Sequence, residues 1–143
     1  MTKKQLTAYL LVILWMVVIF IFSHQPSEVS SSNSLNTIKN ITSVLNIEPD
    51  ENQLELYNSI GRSFMHGFVF FILGILSYRA LFIGKFNNIF LLSLIISIGY
   101  ALFDEIHQLF VPGRAFQGSD ILIDFIGSII GIYITSKLID KKL

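Results

Sequence analysis

The chain has 143 residues, 52% of them hydrophobic and 14% charged, with a mean hydropathy of +0.64. Soluble domains carry roughly 25% charged residues, so a water-soluble fold is excluded and a membrane protein is indicated. Ten basic and ten acidic residues cancel, which argues against a nucleic-acid partner; the absence of cysteine removes disulfides, thiolate metal sites and a cysteine nucleophile.

The first apolar run covers 6–22. Lys3 and Lys4 precede it as they would in a signal peptide. However, Ile21-Phe22-Ser23 is not a small-residue cleavage site and the run exceeds a signal core in length, so it reads as an uncleaved helix. The segment 23–63 is polar, and 27–34 (Ser-Glu-Val-Ser-Ser-Ser-Asn-Ser) reads as turn-like. Leu35, Ile38, Ile41 and Leu45 then recur at helical spacing, as do Leu54, Tyr57 and Ile60 beyond Pro49, which predicts two short amphipathic helices on the membrane surface. Further apolar runs cover 64–82, 89–103 and 121–139. A span needs about 20 residues, so the third run qualifies only if its helix continues through Asp104 toward residue 111.

Small residues mark packing seams in these runs: Gly127 with Gly131, and Ser63, Gly67, Gly74 and Ser77. Trp15 falls in the middle of the first run, which suits packing better than anchoring at an interface. Lys3, Lys4, Arg79, Lys85, Lys137, Lys141 and Lys142 fall on one side of the four spans, and Lys39, Arg62 and Arg114 on the other. The excess of cations marks the cytoplasmic side. The expected fold is therefore an all-α membrane protein, one domain over 1–143. It has four transmembrane helices, both termini cytoplasmic, and short amphipathic helices in the first extracytoplasmic segment.

This topology carries the polar residues of all four spans to one end. Ser23-His24-Gln25 closes the first span, and Arg62 and His66 open the second. Asp104, Glu105, His107 and Gln108 close the third; Asp120 and Asp124 open the fourth. A charged group at membrane depth costs on the order of 2.5–3.5 kcal/mol by insertion scales and by default marks function. Residues three and four apart share a helix face. Asp104 thus sits over His107 and Gln108, Glu105 also reaches Gln108, and Arg62 and His66, like Asp120 and Asp124, lie one turn apart. Asp124 is deep enough to need a partner: Arg62, Arg114 or a histidine. Pro112-Gly113 stops the third helix and turns Arg114 back over the cluster.

The same residues carry a family resemblance. The run from Trp15 through Phe22-Ser23-His24-Gln25, the Arg62…His66-Gly67-Phe68 entry, Asp104-Glu105-Ile106-His107-Gln108, Pro112-Gly113-Arg114 and Gly118-Ser119-Asp120…Asp124…Gly127…Gly131 resemble the VanZ-like family of small bacterial membrane proteins. The likeness spans nearly the whole chain. Where the family's last element commonly has Asn, this chain has Asp124, an added carboxylate. The resemblance implies a multi-pass protein of the bacterial cytoplasmic membrane, associated with the cell envelope and with resistance to teicoplanin-type lipoglycopeptides. It supplies no reaction.

Three functions fit these residues. The first is a binding or protective module whose outward polar pocket, rimmed by Arg62 and Arg114, takes an anionic lipid, a lipid-linked cell-wall precursor or a lipoglycopeptide. Arginine's planar fork suits phosphate. Gln108, Asp124 and His107 complete the expected substrate-binding set. The second is a membrane enzyme acting on a lipid-linked or phosphate substrate, with Asp104, Glu105, His66, His24 and Asp120 as catalytic groups. Histidine and environment-shifted carboxylates serve as acid and base. They are also metal-ligand types, although no H-E-x-x-H spacing is present; metal, cofactor and oligomeric state stay open. The third is a structural helper of another envelope protein. A transporter is disfavoured, because the polar groups gather at one face and do not continue across the bilayer.

Overall fold

A computed structural model describes residues 1–140; Lys141 and Lys142, counted above for orientation, lie outside them. Five helices follow one another: α1 (Lys3–Ser23), α2 (Ser27–Val44), α3 (Glu51–Ile83), α4 (Ile89–Gln108) and α5 (Gly118–Asp140), and the described residues contain no strand. Four are long and apolar enough to cross a membrane: α1, α3, α4 and the Gly118–Ile139 portion of α5.

Local chemistry sets the helix starts. Thr2 opens α1 in a capping box with Gln5, each side chain taking the other's backbone N–H. Asp50 and Gln53 do the same for α3. That box overturns one expectation. The segment holding Leu54, Tyr57 and Ile60 is not a separate short helix but the first turns of α3, which begins well before residue 64. At 33 residues α3 is roughly 50 Å long at 1.5 Å per residue, against about 30 Å of bilayer hydrocarbon.

The stretch 27–34, expected as a turn, is also helical and forms the start of α2. Three hydroxyls of α2 bond back to its own carbonyls. The Ser34 hydroxyl donates to the Ser31 carbonyl at 3.0 Å, and those of Thr37 and Thr42 donate to Asn33 and Lys39 at 2.9 and 3.1 Å. The Ser34 hydroxyl also meets the Asn58 side chain, which ties α2 to the projecting part of α3.

The α3–α5 contact is the closest in the bundle. A Cβ on Gly127 would overlap the Gly67 carbonyl oxygen, one on Gly131 would overlap that of Phe71, and one on Gly74 would lie 2.6 Å from that of Ser128. Only glycine allows backbones to approach this far. α1 is attached differently, through side chains. The Trp15 indole donates to the Val69 carbonyl at 2.8 Å, the Tyr100 hydroxyl donates to the Met16 carbonyl, and Gln5 reaches the Ile83 carbonyl at 3.3 Å. Ile19, Phe70, Leu73 and Ala101 form the buried apolar centre, flanked by Trp15, Val69 and Tyr100.

Candidate functional site

The C-terminal ends of α1 and α4, the start of α5 and the middle of α3 meet at one end of the bundle. α4 does continue past residue 103, carrying Asp104, Glu105 and Gln108 to its final turns. The chain then turns through 109–117. Gly113 has φ +72°, a left-handed conformation suited to glycine, and stands against Ser27, whose N–H donates to the Pro112 carbonyl at 3.3 Å. The turn therefore rests on the start of α2 and returns across the helix ends.

That return closes the site. The Gln117 backbone N–H donates to Glu105 Oε2 at 2.8 Å, and Arg114 Nε donates to the Gln25 carbonyl at 3.2 Å, joining the turn to α4 and to the end of α1. Gln108 Nε2 donates to Asp104 Oδ2 at 3.2 Å. Glu105 is 0% exposed, and Asp104, Gln108 and Asp124 are each 1% exposed. The open pocket expected between the helices is thus a sealed polar core. Cavities of about 450 and 430 Å³ lie elsewhere, the first beside the loop between α2 and α3, the second between α3 and α5 at the opposite end of the bundle.

His66 lies between the two aspartates of α5. Its Nε2 stands 3.8 Å from Asp120 Oδ2 and its Nδ1 3.7 Å from Asp124 Oδ1. Histidine, and neither arginine, is therefore the partner Asp124 finds. His107, expected under Asp104, shares a 3.1 Å hydrogen bond with His24, Nε2 to Nδ1; the His24 ring stacks on Phe20 and the His107 ring lies tilted against it. Among the described residues no group of three or more His, Asp or Glu is disposed to hold a metal ion.

The arginines stand apart from the acids. Among the described residues neither Arg62 nor Arg114 makes an ion pair with a carboxylate. Partial burial, and next the nearby Arg62 guanidinium, push the Arg114 side chain below the usual arginine range, while Asp104, Asp120 and Glu105 act in the opposite sense. One oxygen on each of Asp104, Glu105 and Gln108, and both on Asp124, make no hydrogen bond among the described residues. The expected residues are therefore brought together, in four sets: a buried acid–amide core, a histidine between two aspartates, a pair of histidines beside Phe20, and two arginines at the rim. Sequence reasoning missed the Gln117 N–H and the Gln25 carbonyl, because backbone groups leave no signal in residue type. It also left Ser23, which faces Asp104, out of the candidate set.

A family model described as VanZ/LLP1 matches residues 8–139, nearly the whole chain. The chain belongs to the VanZ/LLP1 family. No curated protein and no solved structure matches it. Family membership and the four apolar helices make it a multi-pass membrane protein of the VanZ type.

Proposed function

We propose that this VanZ-type protein binds the anionic headgroup of an amphiphile at the outer face of the bacterial cytoplasmic membrane, with both termini cytoplasmic and α2 lying on the outer surface. One observation carries the reading: Arg62 and Arg114 stand close enough to oppose each other's charge, and among the described residues no carboxylate forms an ion pair with either. An anion between them would relieve that repulsion, and two guanidinium forks match phosphate oxygens. A lipid-linked cell-wall precursor carries such a phosphate, and holding it at this face would connect the protein with lipoglycopeptide resistance. The unbonded oxygens of Asp104 and Glu105 would receive hydroxyl or amide donors of the headgroup after movement of the 109–117 turn.

The test is retention of a polyprenyl phosphate from phosphatidylcholine vesicles by the full chain, compared with Arg62→Ala, Arg114→Ala and the double variant. Each arginine near a membrane surface contributes on the order of 1 kcal/mol toward an anionic lipid, so each single variant loses about fivefold. Wild-type retention by an inserted, monodisperse double variant would sink the proposal.

A second reading, hydrolysis of the bound phosphate ester, draws on His66 between Asp120 and Asp124, an arrangement suited to a general base. Release of inorganic phosphate from the same vesicles, abolished by His66→Gln, supports it; intact lipid after prolonged incubation with wild-type protein rejects it.

A further inference from the structure

The opposite end of the bundle holds a second feature. Between α3 and α5 lies the cavity of about 430 Å³, lined by Ile75, Arg79, Phe82, Ile134, Thr135 and Leu138 among others. That volume falls within the roughly 300–1,000 Å³ of small-molecule sites. Its walls are almost wholly apolar, and the Thr135 hydroxyl is already committed to the Gly131 carbonyl at 2.8 Å. Arg79 is the cation in the lining. It sits four residues before the end of α3, about 6 Å along the helix, at the margin of the hydrocarbon.

Arg79 is exposed and makes no ion pair among the described residues. Lys137, close by on α5, lies over the Tyr133 ring at 5.7 Å. The surrounding charge is one-sided. Lys3, Lys4, Lys85 and Lys137 belong to this end, and the sequence puts a single acidic residue, Asp140, near it. Ile134, Thr135, Leu138 and Ile139, at helical spacing, form the cavity face of α5. A guanidinium at the edge of hydrocarbon requires an anion or water, and here it adjoins an apolar slot lined from α3 and α5.

We infer that this slot is a site for one anionic phospholipid of the surrounding leaflet, its phosphate on Arg79 and an acyl chain against Ile75, Phe82, Ile134 and Leu138. Charge complementarity selects the headgroup, and the apolar lining selects a lipid over a free phosphate. The site lies at the far end from Arg62 and Arg114 and does not depend on the function proposed for them.

The experiment is native mass spectrometry of the full chain released from mixed phosphatidylcholine–phosphatidylglycerol vesicles. All variants are made in the Arg62→Ala/Arg114→Ala background, which removes the arginines of the other end. The background protein is expected to retain one phosphatidylglycerol. Arg79→Ala reduces that retention about fivefold, on the order of 1 kcal/mol, while Arg79→Lys keeps the charge but not the fork and falls less. Leu138→Trp fills the slot, leaves every charge in place and also reduces retention. Retention unchanged in Leu138→Trp would overturn the site, because an arginine that merely reaches toward the headgroups needs no slot. Unchanged retention in Arg79→Ala, or absence of bound phosphatidylglycerol in the background protein, would overturn it equally. If Arg79→Ala is not recovered folded, Leu138→Trp decides.

Discussion

α3 holds two of its neighbours, α5 and α1, by different means. Toward α5 it offers bare backbone, with Gly67 and Gly74 meeting Gly127 and Ser128 so closely that no side chain fits between. Toward α1 it offers a carbonyl to an indole, and α4 adds a tyrosine hydroxyl and a histidine ring. In a bilayer, lipid tails solvate leucine as well as a neighbouring helix does, so apolar burial alone does not choose between these arrangements. Close fit joins α3 to α5, whereas a few directional bonds join α1 to the rest. The first is intolerant of added volume; the second loses only one bond at a time.

Substitutions can break that contrast in order of size. Gly127→Leu and Gly131→Leu have the largest effect, because the new side chain meets a backbone carbonyl. They are expected at or beyond the upper end of the ~1–3 kcal/mol cost of overpacking, read as loss of monodisperse protein or a steep fall in thermal stability in detergent. Trp15→Phe keeps the ring and loses the bond to Val69, a cost of roughly 0.6 kcal/mol, the average for interhelical hydrogen bonds in membranes. His24→Ala and His107→Ala test a single bond at the polar end, and a double-mutant cycle is expected to give a coupling of similar size or less. Gly99→Ala is the smallest: its Cβ meets nothing within 4 Å, so stability holds or rises slightly. A Gly127→Leu variant as stable as Gly99→Ala would remove the distinction between the two contacts.

The spans were legible because hydropathy is a property of each residue summed along the chain, and nothing tertiary changes it. The seam was legible for a similar reason, since glycine and serine at four-residue spacing record how near a neighbour comes. Residues 27–34 were not, because serine favours turns and helix caps when its hydroxyl bonds locally. Here the hydroxyls of Ser34 and Thr37 bond backwards along α2 instead. The early start of α3 was encoded in Asp50 and Gln53, a capping signal that the hydrophobic periodicity after Pro49 overshadowed. At the polar end the sequence named the residues that gather but not their pairing. Asp124 meets His66 rather than an arginine, and Glu105 takes the Gln117 backbone N–H on one of its two oxygens. Which acid meets which cation depends on helix rotation, and the period of the pattern leaves rotation free.

The Trp15 bond has a practical side. The chain has one tryptophan, and its indole bridges the helix held by side chains to the central one. Indole emission is sensitive to hydrogen bonding and polarity, so this single ring is an intrinsic optical gauge of whether α1 is seated. A shift in emission on adding an amphiphile, absent when Arg114 no longer holds the turn to the Gln25 carbonyl, would mean that ligand at the polar end is felt as far as the middle of the first helix, with no label attached.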